Sequence, residues 1–184
     1  MKIIILIPIW RRPELTRKCI QALRKLKPKG VELLPVMIIS NTDPDYSMNC
    51  DTCWIYKCSF SLVANKPLGF KKYIGLKDAV DKYFDYDYIM ELGSDDFINP
   101  KLFDLYDPDL YDPFMSEGVK FFGLNNLYMY SVKQDKLIWV KEYAGEEMTY
   151  GAGRMIHRSV IEKIGCNLWD DYNEGLDTTK GRIS

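Results

Sequence analysis

Residues 3–9, Ile3-Ile4-Ile5-Leu6-Ile7-Pro8-Ile9, form a short β-branched run without alternation, the pattern of a strand buried on both faces. Pro13 suits the first turn of a helix. Leu15, Cys19, Ala22, Leu23 and Leu26 follow at helical spacing, and Lys27-Pro28-Lys29-Gly30 stops that helix. Leu33 to Ile39 reads as a second buried strand, ended by the turn-rich cluster Ser40-Asn41-Thr42-Asp43-Pro44. Strand, helix and strand in this succession make a βαβ unit, so the two strands should be parallel. A cysteine-bearing loop then leads to a weak strand near Trp54–Tyr56. Gly69 to Phe84 reads as a helix with Leu76, Ala79, Val80 and Tyr83 on one face, and Tyr86–Leu92 as the next strand.

Beyond Pro100 the character changes. Val119–Tyr130 and Leu137–Tyr143 are aromatic-rich strands joined through Lys133-Gln134-Asp135-Lys136, the pattern of a hairpin. A glycine-marked loop, Tyr150-Gly151-Ala152-Gly153, precedes a short strand and a helix over Ser159–Ile164. No internal repeat or linker divides the chain. The expectation is a single α/β domain, parallel in its first half and mixed in its second.

Composition narrows the function classes. The 184 residues are 47% hydrophobic, enough for one globular domain with a substantial core. Lys plus Arg is 25 against 26 Asp plus Glu, which argues against a dedicated nucleic-acid binder. The apolar opening is cut at Pro8 and followed by Arg11-Arg12, too short for a transmembrane segment and without a signal-peptide cleavage site. A soluble, cytoplasmic protein is expected, with peripheral membrane contact left open. The five cysteines, Cys19, Cys50, Cys53, Cys58 and Cys166, fit reduced thiols better than disulfides. Cys50, Cys53 and Cys58 have a faintly zinc-like spacing but lack a fourth ligand nearby.

Charge is uneven along the chain. Residues 1–30 carry nine Lys or Arg against Glu14, whereas residues 78–117 carry twelve acids against Lys82 and Lys101. These are either solvated faces or the two sides of one cleft. Asp95-Asp96 directly follows a strand of the parallel sheet, where loops form the usual ligand crevice. Adjacent carboxylates repel unless a cation or proton relieves them, and Mg²⁺-like ions bind through one or two carboxylates plus substrate phosphates. A solvated loop or helix cap is the other reading of the pair.

The opening strand with Trp10-Arg11-Arg12-Pro13, the stretch Asn65-Lys66-Pro67-Leu68-Gly69-Phe70-Lys71, and Tyr88-Ile89-Met90-Glu91-Leu92-Gly93-Ser94-Asp95-Asp96 occur in a telling order. Together they resemble a family 2-type glycosyltransferase with the GT-A fold, a nucleotide-diphospho-sugar transferase. The resemblance covers nearly the whole chain. It implies a nucleotide-binding half at 1–97 and an acceptor-binding half at 98–184, in a minimal enzyme or a catalytic fragment. Pro8, Ile9, Trp10 and Arg11 would hold base and ribose, with Trp10 stacking on the base. Ser40 and Asn41 stand where the family offers an aspartate to the base. Asn65 and Lys71, with Lys72 competing, match the stretch that reaches the nucleotide and its phosphates. Gly93 or Ser94 stands at the first acidic position of the Asp-x-Asp-type motif. Asp95 would then face the ribose, and Asp96 would bind Mn²⁺ or Mg²⁺.

In the second half, Gly151, Gly153 and Arg154 match the family's donor-sugar and acceptor loop. Asp177 is the implied general base, with Glu174 second; Asp170 and Asp171 read as turn or cap residues. His157, the only histidine, reads as structural unless it folds back toward Asp96. The implied reaction moves a sugar, with inversion, from a nucleoside diphosphate donor (UDP-sugar favoured) to a glycan or other hydroxyl acceptor. Two alternatives stand beside it. One is a non-catalytic fold that binds nucleotide, sugar or protein. The other is a sugar-1-phosphate nucleotidyltransferase, whose glycine-rich signature loop is missing from Trp10–Pro13.

Overall fold

The computed structural model describes residues 1–105, 120–141 and 149–169. The chain begins β1 (Lys2–Ile9), α1 (Pro13–Lys25), β2 (Glu32–Ser40), α2 (Tyr46–Tyr56), β3 (Ser59–Val63), α3 (Leu68–Lys82) and β4 (Tyr88–Glu91). Then come α4 (Lys101–Leu105), β5 (Phe121–Phe122), β6 (Leu127–Ser131), β7 (Lys136–Val140), β8 (Met155–His157) and α5 (Arg158–Ile164). Six strands make one sheet in the order β3-β2-β1-β4-β8-β5. The first four are mutually parallel, and β8 runs antiparallel to both β4 and β5.

The unbroken apolar run of β1 follows from its place at the centre. Ile3, Ile5, Ile7 and Ile9 face one core with Cys19, Ile20 and Leu23 of α1 and Cys53 of α2. Ile4 and Leu6 face a second core with Leu76 and Ala79 of α3 and Val160 and Ile161 of α5. Helices thus cover both faces, and a period-2 side-chain pattern must be apolar at every position. Burying each such side chain contributes about 1.5–3 kcal/mol. Gly75 lets α3 lie against β2, since a Cβ there would come within 2.3 Å of Ile38 Cδ1.

The structure corrects two expectations. The cysteine segment is not a loop and Trp54–Tyr56 is not a strand: residues 46–56 are α2. Its buried residues are Asn49, Thr52 and Cys53, while Trp54 and Ile55 are exposed, so no apolar stripe marks it as a helix. The long strand over Val119–Tyr130 is broken among its described residues. Phe121–Phe122 joins the main sheet, and the chain leaves it at Gly123–Asn126 to enter the separate β6–β7 hairpin.

Candidate functional site

In a parallel sheet the strand order reverses between β1 and β4, and the carboxyl ends of both open onto the same edge. The loop after β1 carries Trp10, Arg11 and Arg12. Arg11 and Arg12 both adopt left-handed backbone, with φ of 59° and 52°. Such conformations cost of order 1–3 kcal/mol each for residues with a side chain and persist where neighbours enforce them. Here the Arg11 N–H donates to Asp43 Oδ2 at 2.7 Å, and the Arg12 carbonyl accepts from the Thr16 N–H at 3.0 Å. The Arg11 guanidinium lies 5.7 Å from the Trp10 ring centre, and Arg12 Nη1 lies 2.6 Å from Asp95 Oδ2.

Asp43 is the buried acid that binds two loops together. Besides the Arg11 amide, it accepts from the Asp45 N–H at 2.9 Å and from Asn49 Nδ2 at 3.2 Å. Ser40 and Asn41 are the polar residues expected to face the base. Ser40 is fully buried, its hydroxyl 3.0 Å from Thr42 Oγ1 and accepting from the Thr42 N–H; Asn41 is exposed.

Ile9 is fully buried, so its contribution to the edge is its carbonyl, which accepts from the Lys71 ammonium. Lys71 also donates to Asn65 Oδ1 at 3.1 Å. Burial pushes the Lys71 ammonium down to about 8, against the opposing pull of Asp43. Asn65 and Lys71 therefore sit together at this edge, with Lys71 tying α3 to the end of β1. Pro8 and Trp10 are half-buried, and Arg11 is exposed.

The acidic loop is held by its own backbone. Asp96 Oδ2 accepts from the Gly93 N–H at 2.6 Å, and the Asp96 N–H donates to the Gly93 carbonyl at 3.2 Å. A Cβ on Gly93 would meet Asp96 Oδ2 at 2.7 Å, so any side chain at this position has to displace the Asp96 carboxylate. Ser94 is buried and Asp95 exposed. Burial raises the Asp96 carboxyl above the ordinary range, the Gly93 bond opposes this, Asp95 adds to it and Arg12 opposes it. Beneath the loop, the Cys19 thiol donates to the Asp96 carbonyl at 3.1 Å.

The glycine loop meets the same edge. The Gly153 N–H donates to the Glu91 carbonyl at 2.8 Å, and the Glu91 N–H to the Arg154 carbonyl at 3.0 Å. Gly153 has φ 77°, a conformation that favours glycine, and Gly151 is half-buried. Arg154 is 1% exposed and does not project into open space. It reaches Thr149 Oγ1 at 3.1 Å, the Thr149 carbonyl at 2.5 Å and Glu91 Oε1 at 3.5 Å. Lys72 pairs with Glu91 Oε2 at 2.8 Å and lies 5.3 Å from the Trp169 ring centre. Glu91 is the last residue of β4 and the charged end of an otherwise apolar, buried strand.

His157 lies at the opposite end of β4, paired with Tyr88 and packed on its ring at 5.0 Å. Its Nδ1 accepts from the Ser159 N–H at 3.2 Å, which caps α5. A return toward Asp96 is therefore excluded. Asp170, Asp171, Glu174 and Asp177 lie outside the described residues. Among the described residues no three His, Cys, Asp or Glu side chains converge as a self-sufficient metal cage. Asp95 and Asp96 suit instead an ion that takes one or two carboxylates and completes its shell with phosphates and water.

No family model matches the chain, and no curated protein matches it in sequence. Solved structures match its fold. S. aureus TarS 1-349 in complex with UDP is 13% identical, covering 100% of this chain and 55% of that one, with a TM-score of 0.63. The mannosyltransferase PcManGT from Pyrobaculum calidifontis, in complex with GDP-Man and Mn²⁺, is 11% identical over 98% of this chain and 51% of its own, TM-score 0.58. A 4-diphosphocytidyl-2C-methyl-D-erythritol synthase is 9% identical over 89% of this chain and 78% of that one, TM-score 0.54. The chain spans about half the length of TarS 1-349. Its fold is the GT-A, Rossmann-like fold of nucleotide-sugar glycosyltransferases.

Proposed function

We propose that this protein transfers a sugar from a nucleoside diphosphate sugar to a hydroxyl acceptor, with inversion. The observation that carries the reading is convergence. The Trp10–Arg12 loop, the Asp95–Asp96 loop and the Gly151–Gly153 loop meet at the carboxyl edge between β1 and β4. The UDP and GDP-Man in the similar TarS and PcManGT structures support a nucleotide donor, with UDP-sugar favoured here.

In this reading Trp10 stacks on the base and Asn41 hydrogen-bonds its edge. Asp95 faces the ribose and, with Asp96, holds Mn²⁺ or Mg²⁺. That cation would neutralise charge building on the diphosphate as it leaves. Lys71 and Arg154 are positioning residues, since both are buried: one holds the end of β1 and the other braces Glu91 beneath the glycine loop. Asp177, or failing it Glu174, takes the acceptor proton. The acceptor oxygen bonds to the anomeric carbon as the bond from that carbon to the diphosphate breaks. The chain's chief contribution is to align the reactants.

One observation favours a second reading, a non-catalytic module that binds nucleotide or sugar. The Asp95 carboxylate is already paired with Arg12. Calorimetry with UDP and GDP, in Mn²⁺, Mg²⁺ or chelator, separates the two. A transferase should bind diphosphate more tightly with the cation and hydrolyse or transfer a sugar from a donor panel. Equal affinity in cation and chelator, without turnover, rejects the catalytic reading. Replacing Asp177 by Asn should preserve donor binding and lower transfer by roughly a hundredfold or more.

A further inference from the structure

Among the described residues the β6–β7 hairpin pairs with no strand of the main sheet. A lone two-stranded ribbon is at best marginally stable in water and normally gains a third strand or a covering layer. This one has apolar side chains on both faces. Tyr128, Tyr130, Leu137 and Trp139 share one face by register, with Met129 and Ile138 on the other, and all six are exposed. The Tyr128 and Trp139 rings stack 6.4 Å apart at 24°, and Val132 projects from the turn, 83% exposed. Contiguous exposed apolar surface of this kind marks a contact site.

Two observations identify the occupant. A rigid protein surface laid on one face of a ribbon leaves the other face wet, whereas a lipid interface surrounds whatever enters it. Charge is the second. Residues 127–141 contain Lys133, Lys136 and Lys141, all exposed, against a single acid, Asp135. Asp135 in turn accepts from the Tyr130 hydroxyl. That is 3 − 1 = +2 in a chain whose net charge is −1. A second copy of the hairpin would bring these lysines against one another, whereas anionic headgroups complement them. Trp and Tyr favour the boundary between apolar and polar layers, and lysine stems can lie on apolar surface with their ammonium groups in the headgroups.

We propose that the β6–β7 hairpin seats this protein on an anionic lipid surface, with both ribbon faces entering the headgroup boundary. The proposal is independent of the transferase reading. It is tested by sedimenting the full chain with vesicles of phosphatidylcholine, with and without phosphatidylglycerol. Binding to the phosphatidylglycerol vesicles is expected, with binding to phosphatidylcholine alone much weaker. Lys133→Glu with Lys136→Glu should weaken binding by at least about tenfold. Leu137→Ser with Trp139→Ser should remove it at an unchanged melting temperature. Wild-type protein that sediments with neither vesicle, or equally with both, overturns the proposal. So does a lipid-independent dimer that the Leu137 and Trp139 substitutions dissociate. Should the serine variant lose its melting transition, the lysine variant still decides: unchanged binding there is fatal to the idea.

Discussion

Strands β1 and β6 are both rich in apolar residues, aliphatic in one and aromatic in the other, and have opposite fates. Ile3 to Ile7 in β1 are at most 1% exposed, while Tyr128, Met129 and Tyr130 in β6 are all more than half exposed. The difference lies in what flanks them. β1 has a strand on each side and a helical layer above and below, whereas among the described residues β6 has one strand beside it and neither face covered. An apolar run specifies a strand; the layers around it decide whether that strand contributes to stability.

The comparison makes graded predictions. Ile5→Ala should cost about 2–5 kcal/mol, read from the urea midpoint, because the fully buried site cannot collapse around the void. Gly75→Ala should cost about 1–3 kcal/mol by driving a methyl into Ile38 and separating α3 from β2. Gly93→Ala should leave the melting temperature nearly unchanged. It should nevertheless weaken cation-dependent nucleotide binding by roughly tenfold, as disturbed support of a metal ligand does, because the new methyl displaces the Asp96 carboxylate. Leu137→Ala should stay within about 0.5 kcal/mol. A Leu137→Ala loss as large as that of Ile5→Ala would mean the hairpin is covered, and the comparison would collapse.

A further expected effect is a pH dependence. The folded chain holds Lys71 at about 8, below the ordinary lysine value of 10.5. Between those values the unfolded chain binds the proton and the folded one does not, so stability rises with pH through this window. The wild-type protein should therefore gain stability relative to Lys71→Met from about pH 8 to about pH 10.5, in parallel denaturation series. A difference that stays flat with pH would place Lys71 in a more solvated setting.

The same contrast explains what could be read from sequence. β1, α1, β2 and β4 were legible because burial on both faces, or on one helical stripe, leaves a period in the residues themselves. α2 was not, because its buried side includes Asn49 and Thr52 while Trp54 faces solvent. The site was legible where a motif ends a strand, as at Asp95-Asp96. It was illegible at Asp43, which looks like any turn aspartate until folding brings the Arg11 amide, 32 residues distant, to its carboxylate. Glu91 was hidden for a related reason, since its partners Lys72 and Arg154 come from α3 and from the glycine loop. Arg154 stands in the motif expected of a ligand-facing residue, yet its charge is directed inward.

Cys19 gives the acidic loop a chemical reporter of its own. Burial and then the charges of Asp96 and Asp95 push its thiol up to about 12, and its Sγ bonds to main-chain oxygen beneath the turn. Alkylating reagents attack thiolates, so at neutral pH this sulfur should stay unlabelled for as long as the turn above it is closed. Because the bond is to the Asp96 carbonyl, removing the Asp96 carboxylate leaves the acceptor in place. The labelling rate of Cys19, followed by mass spectrometry, can therefore distinguish a variant that has lost a ligand from one whose loop has opened.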